Sequence, residues 1–129
     1  MAIDAGWFQT YLSAFVACAR GDGDLAALLR HYGRPLIISS DDGVVTLTTE
    51  EDVAAVMQGE LDGLRAIGYD HTDVVHLELT SLNSTSALIR GTFSRRDRHG
   101  HELNCPTVTY LVTEDGAGPR ISVLAAHGG

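Results

Sequence analysis

Tyr11 lies four residues after Trp7 and four before Phe15, so on a helix the three share one stripe. A phenol in a dry, apolar setting is a strong neutral hydrogen-bond donor. It can hold a carbonyl or the negative oxygen that develops on one. The same stripe also suits a tyrosine that packs in a wall or core. His99 and His101 are two apart and could face one side of a strand, as metal ligands do. They flank Gly100 without an evident third ligand and read as surface histidines, so no metal is expected. His76 shares parity with Val74, Glu78 and Thr80 and reads as a sheet-surface histidine rather than a buried base. Cys105 precedes Pro106. A nucleophilic cysteine needs a neighbouring base or cation, and none is local, so a structural thiol is expected.

Composition narrows the partners. Seventeen acidic residues against nine basic ones leave a net charge of −8. Such a chain is repelled by phosphate backbones and anionic lipid, so neither nucleic acid nor a membrane is expected as a partner. Arg95, Arg96 and Arg98 form a local basic cluster, read as the solvated charge of a turn. Two cysteines are too few for a disulfide framework. No apolar run approaches the roughly 20 residues of a membrane span, and the N-terminus lacks the pattern of a signal peptide. The expectation is one cytoplasmic domain over residues 1–129.

The elements that must position these groups are legible in the spacing. Residues 7–20 carry Trp7, Tyr11, Ala14, Phe15 and Cys18 at helical intervals, widened by Phe8, Leu12 and Val16. Asp24 is a good cap for a second helix from Leu25 to Tyr32. Leu36–Ser39 and Val44–Leu47 form a small hairpin around Asp42-Gly43. Thr48 and Glu51 fit a capping box for a third helix, Thr49 to Ile67, with Val53, Val56, Met57, Leu61 and Leu64 on its apolar face. Strands then follow: Val74–Leu79, a long hairpin over Ala87–Tyr110, and Ile121–Ala125. In the hairpin, Ala87, Ile89, Gly91 and Phe93 alternate with Leu88, Arg90, Thr92 and Ser94. Pro106 cannot donate to a ladder and marks an irregularity where the sheet bends. Helices first and antiparallel strands after predict an α+β fold, with a curved sheet wrapped around the N-terminal helices.

The run Tyr11-Leu12-Ser13-Ala14-Phe15 followed by Gly23-Asp24-Leu25-Ala26-Ala27-Leu28 resembles the nuclear-transport-factor-2-like superfamily. This is the cone-shaped, cystatin-like fold of SnoaL-like cyclases, ketosteroid isomerases and limonene epoxide hydrolases. Phe93–Gly100 looks like its long hairpin, and Thr109–Val112 with Pro119–Ile121 looks like its last two strands. The resemblance implies a mainly apolar pocket at the open end of the cone and a homodimer through the outer sheet face. It aligns Tyr11 with the helix-1 tyrosine that isomerases use on an oxyanion. It also puts Ser40 at the base position and Val108 where a late-strand acid would stand. Neither is a carboxylate, so steroid-type isomerisation is not expected. Epoxide hydrolases of this fold use an Asp-Arg-Asp set. Arg90 is the candidate arginine, but Asp52 and Asp62 read as helix-surface or N-terminal residues.

The expected site therefore has Tyr11 as the catalytic donor, with Trp7, Phe15, Met57, Phe93 and Tyr110 as lining and Arg90 as its charged member. It would serve a small hydrophobic ligand without a cofactor, in isomerisation, cyclisation or hydration. The alternative is a noncatalytic dimerisation or accessory module whose pocket its own aromatic rings fill.

Overall fold

Asp4 starts the first helix, its carboxylate accepting the Trp7 backbone N–H at 2.8 Å. Helix α1 spans Ala5–Arg20 and ends at Gly21, whose φ of 88° is the left-handed conformation that closes a helix. The computed structural model describes residues 3–128. Asp24 caps α2, Leu25–Leu29. This helix stops short of the predicted Tyr32, which is instead the first residue of strand β1, Tyr32–Ser40. Sheet pairing outcompetes the leucine pattern here: Ile121 N–H donates to the His31 carbonyl at 2.8 Å, and Tyr32 is registered against Ile121. Pro35 also disfavours helix at Arg34 before it.

β1 turns back into β2, Gly43–Leu47. The cap of α3, Glu50–Ala66, is Thr49 rather than Thr48, its hydroxyl accepting the Asp52 N–H at 3.1 Å. Glu50, Glu51 and Asp52 fill the first turn, where their charges complement the helix dipole. Gly59 and Gly63 face open space, so α3 runs through them unbroken.

The remaining strands are β3 (Tyr69–Asn83), β4 (Ser86–Asp97), β5 (Glu102–Asn104), β6 (Thr107–Asp115) and β7 (Gly118–Ala126). They form one sheet in the order β2-β1-β7-β6-β4-β3, with β5 attached to β4. β3, β4, β6 and β7 make the antiparallel meander. The sheet as a whole is mixed rather than antiparallel, because β7 returns beside β1 in parallel. Register shifts at Val74/His76 in β3 and at Leu111/Val112 in β6 bend it into an open curve. Pro106 falls in the break between β5 and β6. Cys105, expected as a strand thiol, is exposed in that break. After the last strand the chain is tied down at His127, whose N–H donates to the Thr107 carbonyl at 2.9 Å.

The concave face is the core side. On β4, Ala87, Ile89, Gly91 and Phe93 are buried while Leu88 and Arg90 are exposed. Gly91 is required beneath Phe93: a Cβ there would lie 2.9 Å from a ring Cε. Phe8, Leu28, Leu36, Leu61, Val112 and Ile121 complete a fully buried centre between α1, α3 and the sheet. No helix among the described residues is long and apolar enough to cross a membrane.

Candidate functional site

Between α1, α3 and the curved sheet lies a cavity of about 230 Å³. Helix α1 contributes Tyr11, Leu12 and Phe15, and α3 contributes Val56, Met57 and Glu60. β1 supplies Tyr32, Ile38 and Ser40, while β4 supplies Phe93 and Arg95. Val108 and Tyr110 of β6 and Leu124 of β7 close the far wall. The spacing explains the sets. Val56, Met57 and Glu60 fall on one face of a helix, and Phe93 and Arg95 on one face of a strand.

The polar chemistry of this wall is phenolic. The Tyr11 and Tyr32 hydroxyls are 2.9 Å apart and buried. Tyr110 meets Tyr11 edge-on, with ring centroids 5.8 Å apart. Burial is the main cause that raises all three phenols above their ordinary range; Tyr11 and Tyr110 are raised well above it. For Tyr11 the next cause is the neighbouring Tyr32. These groups stay protonated at neutral pH, so they donate hydrogen bonds and do not act as bases. The Tyr110 hydroxyl also interacts with that of Tyr11, so the three phenols carry three protons, use up to two among themselves and leave one to offer an acceptor.

Two charged side chains sit among them. The Arg95 guanidinium carbon lies 5.6 Å from the Phe15 ring centroid, a cation–π distance. Its positive charge favours the ionised forms of Tyr11 and Tyr110, a smaller effect than burial. Glu60, exposed at the α3 rim, contributes to raising the Tyr32 phenol. It is the one carboxylate among the lining residues.

Residues 5–129 match a family model described as NTF2-like protein (DUF6841). The chain belongs to this NTF2-like family. A search of curated proteins gives no match. Among solved structures, a Nostoc punctiforme protein of unknown function with a cystatin-like fold is similar at a TM-score of 0.74 and 12% identity, covering 98% of this chain and 91% of that one. An NTF-2 like protein of unknown function from Shewanella oneidensis has a TM-score of 0.66 and 17% identity, over 92% of this chain and 94% of its own. A ketosteroid isomerase-like protein from Erwinia carotovora atroseptica has a TM-score of 0.63 and 11% identity, over 94% and 89%. At such identities the likeness is one of fold.

Within this NTF2-like frame, Tyr11, Phe15, Met57, Phe93 and Tyr110 line the cavity as placed by their spacing. Trp7 does not. It stacks on Tyr11 from behind, centroids 6.4 Å apart and planes 11° off parallel, and meets the edge of His31 at 5.5 Å. Arg90 is also outside: the period of two that turns Ile89 and Gly91 inward turns Arg90 to the exposed face. The positions that align with an isomerase base and acid, Ser40 and Val108, both border the cavity without a carboxyl group. His99 and His101 are exposed, with ring centroids 6.2 Å apart; among the described residues no three metal-binding groups cluster.

Among the lining residues that the sequence reading leaves out are Tyr32, Glu60 and Arg95. Tyr32 is masked by its fit to the α2 stripe. Glu60 stands three residues after Met57, and Arg95 two after Phe93. Extending the helical and strand periods by one step would have found both.

Proposed function

We propose that this protein binds a small, largely apolar molecule bearing an acceptor oxygen, which receives a hydrogen bond from the buried phenol cluster of Tyr11, Tyr32 and Tyr110. The observation that carries this reading is the buried 2.9 Å phenol pair on the wall of an unfilled cavity. At about 230 Å³ the cavity lies below the roughly 300 Å³ at which ligand sites usually begin, so the ligand is compact. The open volume between Phe15, Phe93 and Tyr110 supports a ligand site over a module filled by its own rings.

If the ligand reacts, the chemistry is cofactor-free proton transfer beside a carbonyl. Glu60 is the lining group able to take the proton, and the phenol pair holds the oxyanion. Screening compact ketones, lactones and enones by ligand-observed NMR identifies the binders. Tyr11→Phe should then weaken their affinity by about 1 kcal/mol or more, roughly fivefold, with the fold checked by circular dichroism. Unchanged affinity in that variant would remove Tyr11 from the site.

A second copy of the chain covers part of the outer sheet in this proposal. Leu88 on the outward side of β4 is 37% exposed, and Val75 and Leu82 of the neighbouring β3 are 63% and 50% exposed. Such apolar exposure marks association surfaces. Light scattering should give twice the mass of the 13.8 kDa chain. A monomer at micromolar concentration overturns this part.

A further inference from the structure

We infer that the cavity's ligand is an anion, a compact apolar carboxylate whose charged end pairs with Arg95. This rests on the ligand-site reading above and specifies its ligand class. The chain contains no lysine, so all nine basic residues are arginines. Arg20, Arg34, Arg65 and Arg96 each lie within 4.0 Å of a carboxylate; for Arg96 the partner is Asp73 at 3.0 Å. Five arginines, Arg30, Arg90, Arg95, Arg98 and Arg120, have no carboxylate within that distance among the described residues, and of these Arg95 is the one that lines the cavity. It is also half-buried in a cavity whose other walls are mostly apolar or phenolic.

The unpaired charge sits beside an aromatic ring. The guanidinium carbon lies 5.6 Å from the Phe15 ring centroid, and the planar fork of N–H donors on this group suits a carboxylate. Among the described residues no side-chain or backbone acceptor takes a hydrogen bond from that fork. A carboxylate fits it with two parallel bonds, strengthened by the low polarity around it. Arg95 and Pro106 also border an adjoining open cleft formed with Asn104, Cys105 and His127. Arg95 thus stands where the cavity meets the outside, suited to catch the charged end while the apolar body passes inward toward Phe93. Glu60 disfavours the reverse orientation, because it lies with Tyr32 and repels a carboxylate placed there.

Two probes with one skeleton test the idea: 3-phenylpropionate and its neutral counterpart 3-phenylpropan-1-ol, titrated calorimetrically at pH 7. The acid should bind the wild-type protein about tenfold tighter than the alcohol, and added salt should erode only the acid's affinity. Arg95→Gln should abolish the preference, bringing the acid's affinity down to about that of the alcohol for the same variant. Arg95→Lys, which keeps the charge without the fork, should retain part of it. Equal affinity of the two probes for the wild type, or a preference that survives Arg95→Gln, overturns the anion assignment and leaves the cavity reading standing. Binding of neither probe at millimolar concentration also overturns the anion assignment. The cavity reading fails separately, if the carbonyl screen and both probes alike give no binder.

Discussion

Above about pH 10 this protein should lose stability at roughly 4 kcal/mol per pH unit and unfold within a few units. The cause is the buried tyrosine cluster. Tyr11, Tyr32 and Tyr110 are 2%, 3% and 5% exposed, and burial raises each phenol above its ordinary value. In the unfolded chain a phenol titrates near pH 10. Above that pH the unfolded state releases protons that the native state retains, so the equilibrium shifts toward unfolding as pH rises. The contribution is fully present below about pH 10 and is lost as pH climbs toward the folded-state values. One group contributes about 1.4 kcal/mol per pH unit, and three contribute about 4. Tyr69, the fourth tyrosine, is raised in the same direction by burial. Tyrosinate absorbance at 295 nm should therefore stay low past pH 10 and then rise together with the loss of far-ultraviolet circular dichroism. A gradual rise centred near pH 10 with secondary structure intact would show that the cluster is not sealed.

Phe8→Ala should cost about 3–5 kcal/mol, the range for deleting a fully buried aromatic ring. Phe8 is 0% exposed and does not line the cavity. Its centroid lies 5.5 Å from Tyr11, 5.3 Å from Tyr110 and 6.2 Å from Phe93, so it backs three of the lining rings. Removing it takes away both its own burial and the contacts that hold those rings in place. Urea unfolding should show a large fall in midpoint with little change in slope. A loss under about 1 kcal/mol would mean that α1 does not pack on the sheet through this residue.

Much of the fold follows from local signals that agree with one another. The stripe through Phe8, Tyr11 and Phe15 sets the face of α1 that is buried. Asp4, Asp24 and Thr49 cap the three helices with their own side chains. The alternation from Ala87 to Phe93 sets the inward face of β4, and by the same count it excludes Arg90. Where local signals conflict, sequence reading fails. At Tyr32 a helical leucine pattern meets a strand that β7 recruits from about ninety residues away, and the pairing wins.

By itself, then, the sequence determined the element order, the buried faces and most of the aromatic wall, because periods of 3.6 and 2 are properties of the backbone and act over a few residues. Tertiary structure decided which ends of those faces meet. It set Tyr32 against Tyr11 across twenty-one positions. It carried Arg95 to the Phe15 ring instead of a solvated turn, and it left Trp7 behind the wall it was expected to line. These outcomes depend on sheet curvature and on the parallel return of β7 beside β1. Both arise from contacts between distant segments, so no local spacing encodes them.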